Sequence, residues 1–204
     1  MKRALTTILV ILFLISTFAC GVPKGEPVSL YKVSDENVII RQCSLPILYA
    51  INKDVPNKIQ RMIIESFDYW DDLTDKDLFF YMGTTDWVPG DKASGIIVVV
   101  GLTHEVRTEE HKNTLAYVEP STYWKDTGCL AKGSISIFAD TQSKSDDMLR
   151  SVIRHEIGHI LGFGHSPDSD DLMYRAIEEC LIPELKGLSK WELEAFRLYY
   201  GDGK

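Results

Sequence analysis

The chain has 204 residues, 45% hydrophobic and 25% charged, which are globular averages and exclude a fibrous or wholly disordered protein. Its length fits one domain, or a domain with a small lobe. With 22 Lys and Arg against 30 Asp and Glu the formal charge is −8, so the basic footprint of a nucleic-acid binder is missing. Four cysteines are too few for a disulfide scaffold.

From the N-terminus, Lys2 and Arg3 precede an uncharged stretch, residues 4–19, with an unbroken apolar run at 8–15. A membrane-spanning helix needs about 20 apolar residues, so this stretch is short for a permanent span and reads as a signal peptide over residues 1–19. It ends at Thr17-Phe18-Ala19-Cys20-Gly21, which resembles a bacterial lipobox, where cleavage would leave a lipidated Cys20. A plainly secreted chain and an uncleaved anchor are the alternatives. Gly21, Pro23, Gly25 and Pro27 follow with little to bury, so residues 20–30 make a flexible tether and residues 31–204 one folded domain. Without Lys2 and Arg3 the charge is roughly −10, so a lipid rather than charge would hold the chain at an anionic membrane.

Export permits disulfides. With Cys20 lipidated, Cys43, Cys129 and Cys180 remain, an odd number that allows one intramolecular bridge. The sequence does not choose the pair, and three buried thiols are the alternative.

Strand-like runs at 47–51, 78–81, 96–101, 114–118 and 134–138 predict an α/β domain. Ile59, Ile63, Phe67 and Trp70 recur at helical spacing between the first two runs. Ile39, Ile40 and Leu45 call for burial with no visible partner. Ser145 caps a helix over 145–161, with Asp146 and Asp147 suiting the dipole of its first turn and Leu149, Val152, Ile153, Ile157, Ile160 and Leu161 supplying apolar contacts. Ser189 and Glu192 form a capping box that opens a last helix.

The chemistry concentrates in His155-Glu156-Ile157-Gly158-His159-Ile160-Leu161-Gly162-Phe163-Gly164-His165, which satisfies H-E-x-x-H-x-x-G-x-x-H. His155 and His159, four apart on a helix, share one face and can reach a single Zn²⁺. Gly162 accepts the positive φ that ends the helix, Gly164 keeps the turn compact, and His165 returns to the metal. Three neutral imidazoles leave one tetrahedral position open, the mark of a catalytic site. Glu156, about a quarter-turn from His155, is placed to take a proton from a zinc-bound water and return it to the leaving amine. A structural zinc fits poorly, since no cysteine or acidic fourth ligand lies close in sequence.

This pattern resembles that of the metzincin metallopeptidases, and Ser166 after the third histidine looks like the matrixins. Asp171-Leu172-Met173-Tyr174 resembles their Met-turn, which would put Met173 beneath the metal; Tyr174 follows it directly, so no tyrosine ligand is expected. Residues 93–100, 115–118 and 133–140 are similar to the family's strands, and 188–201 to its C-terminal helix. The resemblance implies an α+β zincin: a twisted, mixed five-stranded sheet, two long helices, a zinc cleft, and a small C-terminal lobe with the Met-turn and a final helix. It also implies that the strand at 115–118 is an exposed edge to which an extended peptide adds.

The expected activity is zinc-dependent endopeptidase cleavage of protein or peptide substrates, with one catalytic Zn²⁺ on His155, His159 and His165 and Glu156 as the catalytic residue. The expected form is a monomer that is exported and lipid-anchored at the cell or outer membrane through Cys20, or otherwise secreted. A non-catalytic zinc-containing binding lipoprotein, and hydrolysis of some other amide, are the rival readings. Ala116 and Ser136/Ile137 stand where animal matrixins place structural-zinc histidines, so a second zinc on His104, Glu105, Glu110 and His111 is not expected. Nor is a calcium at Asp140, which lacks the family's following carboxylates. Cys20-Gly21-Val22-Pro23 resembles the family's latency switch without its flanking Arg and Asp. Residues 175–187, the pocket wall in the family, match weakly and give no side-chain preference.

Overall fold

The computed structural model describes residues 42–90, 98–109, 112–124, 126–175 and 185–201. The expected signal peptide and tether, Cys20, Ile39, Ile40, Glu110, His111, Cys180 and most of the expected pocket wall lie outside them.

Five strands form: β1 (Ile47–Asn52), β2 (Phe79–Thr85), β3 (Val98–Thr103), β4 (Ala116–Tyr123) and β5 (Leu130–Phe138). They lie in the order β2-β1-β3-β5-β4, parallel throughout except for β4, which runs antiparallel to β5 at one edge. The sheet is therefore the mixed five-stranded one expected. β5 begins at Leu130, earlier than its apolar run suggests, because hairpin pairing with β4 carries it back to the Tyr123–Leu130 pair. Gly133 also has to be small there, since a Cβ would come 3.3 Å from Ile160 Cδ1.

The helices are α1 (Asn57–Asp71), α2 (Asp146–Ile160) and α3 (Lys190–Tyr200). Tyr49, Val98 and Gly133 share one row across β1, β3 and β5. Phe67 of α1 stacks on Tyr49 at 3.8 Å, and Ile160 of α2 meets Gly133, so both long helices cover the same face. The buried stripe of α1 is the one its spacing predicts: Ile59, Ile63, Phe67 and Trp70. Trp70 packs on Phe163 and on Phe196 of α3, and its indole N–H donates to Arg154 O at 3.1 Å. This one side chain joins all three helices.

The Ser145 cap is present, its hydroxyl accepting from Met148 N, and so is the Ser189–Glu192 capping box. Cys43 bonds Cys129, tying the stretch before β1 to the β4–β5 hairpin. The bridge holds that stretch at the surface. Leu45 is consequently exposed, contrary to the burial expected of it. No helix among the described residues is long and apolar enough to cross a membrane.

Candidate active site

α2 buries every residue from His155 to Ile160, including His155, Glu156 and His159. Four polar contacts secure the end of this helix, where backbone carbonyls would otherwise lack partners. Gln42 donates its amide to Ile160 O at 3.0 Å, and the Tyr200 hydroxyl donates to Leu161 O at 2.6 Å. Gly162 N–H reaches His159 O, and Phe163 N–H reaches Gly158 O. Gly162 takes φ 97°, the left-handed region in which a side chain is strained, so the glycine of the motif is required by the turn. The chain then swings back and presents His165.

The three rings converge. His155 and His159 have centroids 4.7 Å apart at 89°, and His165 lies 5.4 and 4.8 Å from them. Their ligand-capable atoms all fall within 4.8 Å of one another, making the one group of metal-holding type among the described residues. His155 Nδ1 contacts Leu172 O at 2.8 Å and His159 Nδ1 contacts Phe163 O at 2.7 Å. A carbonyl only accepts, so each Nδ1 carries the proton and each neutral ring keeps its lone pair on Nε2. Burial lowers His155 to about 4 and takes His159 well below its ordinary value. Partial burial of the His165 ring, and then the Arg175 charge, lower that group too. Neutral imidazoles with fixed tautomers are the donor set that zinc takes, so the residues fit the ion.

Glu156 is buried beside His155, and burial pushes its carboxyl up to about 8. The Val118 backbone N–H donates to it and pulls the other way. That contact brings edge strand β4 and the carboxylate to one cleft.

Met173, next to the Leu172 carbonyl that meets His155, is fully buried. A Cβ on Gly158 would lie 2.4 Å from Met173 Sδ and 3.2 Å from Trp70 Cζ2, so the motif's variable position is glycine here because the methionine fills that space. The turn itself is held by Glu192: its carboxylate accepts from Leu172 N at 3.0 Å, Met173 N at 2.6 Å and Ser189 N at 2.8 Å. Ser166, paired with Tyr174 by an isolated bridge, donates its hydroxyl to the buried Asp171 carboxylate.

A model of one protein family, the matrixins, matches residues 46–200. The chain belongs to the matrixin family. This matrixin is accordingly a metallopeptidase, and its three-histidine group is of the zinc-holding kind. Among solved structures it is similar to high choriolytic enzyme 1, a hatching enzyme zinc-protease from the medaka Oryzias latipes. The identity is 13%, the TM-score 0.48, and the alignment covers 85% of this chain and 100% of that one. No curated protein matches the sequence.

Sequence spacing pointed to His155, Glu156, His159 and His165, and the family resemblance to Met173; the fold gathers the three histidines, keeps Glu156 beside them and packs Met173 against Gly158 of the same helix. Sequence spacing missed three contributors. Glu192 showed only as a cap, with nothing to signal its second task at the Met-turn. Val118 acts through its backbone, which no side-chain motif reports. Asp171 was seen only as part of the Met-turn motif, not as the partner of Ser166. Asp140, considered for calcium, gives both carboxylate oxygens to Arg107 at 2.7 Å, and His104 is exposed outside any metal-holding group among the described residues.

Proposed function

We propose that this matrixin is an exported zinc endopeptidase in which His155, His159 and His165 hold the metal and Glu156 is the general base. The observation that carries the reading is the convergence of three imidazoles, two of them with fixed tautomers, beside a buried carboxylate that also touches the edge strand. Zinc, when bound, supplies a Lewis acid that polarises the scissile carbonyl, lowers the pKa of water toward neutrality and draws the Glu156 carboxyl toward its ionised form. Glu156 takes the proton of the attacking water and gives it to the leaving amine. Among the described residues β4 pairs with β5 on one side only, so an extended peptide can add along its other side and bring its bond to Glu156. Backbone recognition of that kind suits unfolded protein segments.

Residues 1–19 act as the signal peptide, 20–30 as a tether with lipidated Cys20, and 31–204 as the peptidase domain, a monomer at the cell or outer membrane. The Cys43–Cys129 bridge supports export, because a stable disulfide belongs to an oxidising compartment. Mass spectrometry of the mature N-terminus tests the anchor: a diacylated Cys20 is expected, and an N-terminus elsewhere would remove it. Replacing Glu156 with Gln tests the chemistry. The variant should keep about one zinc per chain while cleavage of denatured protein falls by about 10²-fold or more. Undiminished cleavage would remove Glu156 from its role. Zinc binding with no cleavage by the wild type would favour a non-catalytic binding lipoprotein.

A further inference from the structure

The loop between β3 and β4 carries Arg107, whose guanidinium is held from several sides. Its two terminal nitrogens donate to the two oxygens of Asp140 at 2.7 Å each. Nε donates to Thr114 O at 2.6 Å, and the guanidinium carbon lies 4.0 Å over the Phe138 ring. These partners sit on different elements. Thr114 stands two residues before β4, Phe138 ends β5, and Asp140 is the second residue of the short turn Ala139–Ser143 that leads into α2. The neighbouring Leu115 O accepts from Phe138 N at 3.0 Å and from the Thr141 hydroxyl at 2.9 Å, so the entry to β4 is fixed from both sides. Tyr117 within β4 donates its hydroxyl to Glu105 of the same loop at 3.1 Å.

We infer that Arg107 is a positioning residue for peptide binding: its clamp on Asp140, Thr114 and Phe138 sets how edge strand β4 lies against α2. This rests on the reading of β4 as the peptide-binding edge. The physical basis is the planar fork of a guanidinium, which fixes angle as well as distance when both its nitrogens meet one carboxylate. Asp140 is 67% exposed and Arg107 17%, so water screens the pair from the carboxylate side, and what its two-point geometry adds over a single surface contact is orientation. Val118, inside β4 and four residues past Thr114, gives its N–H to Glu156 and anchors the strand there, so a shift at the strand's entry bears on the reach of the edge away from the carboxylate. Longer peptides, which use more of the edge, depend on the clamp more than short ones.

The test uses the mature zinc-loaded protein and two substrates, a peptide as long as the eight residues of β4 and a short blocked amide reaching only the residues beside the cleaved bond. Arg107→Lys keeps the charge and loses the fork; Asp140→Asn keeps the shape and loses the charge. Each should raise KM for the long peptide by roughly tenfold while kcat, zinc content and melting temperature stay close to wild type. KM for the short amide should barely change. Unchanged KM for the long peptide, or an equal rise for both substrates, overturns the positioning role while the peptidase reading stands. A fall in melting temperature that accounts for all lost activity in both variants also overturns it, leaving a merely structural contact. A wild type with zinc that cuts neither substrate refutes the peptidase reading itself and takes the proposal with it.

Discussion

Glu192 shows how a residue outside the motif governs the metal ligands. Its carboxylate holds the N–H groups of Leu172 and Met173, and Leu172 in turn offers its carbonyl to His155 Nδ1. The tautomer of the first histidine thus depends on a side chain of the last helix. Glu192→Gln preserves the volume and removes the charge-assisted bonds, and should cost about 1.5–3 kcal/mol. The loss is read as a lower urea midpoint together with faster surrender of zinc to a competing chelator; two unchanged values would contradict the link. The spacing of His155, Glu156, His159 and His165 made the ligands legible, because helix geometry and one glycine turn dictate where their side chains go. The supporting shell was not legible. Leu172 lies 17 residues beyond His155 and Glu192 another 20 beyond Leu172, and both contacts run through backbone groups, which carry no residue signature.

Elements here are set by close approaches as much as by propensity. α2 can lie over the Met-turn only because Gly158 lacks a side chain. Gly158→Ala would press on Met173 Sδ with Trp70 behind it and should cost about 1–3 kcal/mol by overpacking, visible as a lowered denaturation midpoint. An unaffected midpoint would mean that the methionine moves aside freely. The junction of α1 and β2 has a different weakness. Asp71 closes α1 and accepts from Leu78 N at 2.8 Å and Phe79 N at 3.2 Å, yet burial pushes its carboxyl up to about 6. The unfolded chain releases that proton near pH ~4. Stability from this group is therefore present below about pH 4 and is lost as pH rises through about 6. Asp71→Asn keeps an acceptor and does not titrate, so wild type should lose stability relative to the variant across that interval. Parallel pH–stability curves would contradict this. Helix stripes and caps were readable from periodicity, as the α1 stripe and the Ser145 and Ser189 caps show. The early start of β5 was not, because pairing with β4 rather than its own residues creates it.

Across the whole molecule, the Cys43–Cys129 bond closes a separation of 86 residues and joins the start of the domain to the cleft's hairpin. A loop of that length is worth about 2–4 kcal/mol in the usual range. Replacing both cysteines with serine should lower the unfolding free energy by that amount, measured in denaturant, while leaving zinc content unchanged; an equal midpoint would show the bridge to be thermodynamically idle. Sequence could count these cysteines but not pair them, since pairing depends on the sheet order that brings residue 43 beside the β4–β5 hairpin. The architecture itself was legible, because the short apolar runs of the strands stand apart from the periodic stripes of the helices and the zinc motif marks the second long helix. The most direct test of the account is elemental analysis of the gently purified protein beside a folded His159→Ala variant. The account predicts about one zinc per chain in the wild type and a large loss in the variant. A wild type without stoichiometric zinc even after reconstitution, or a variant that keeps it in full, would contradict the site on which everything else depends.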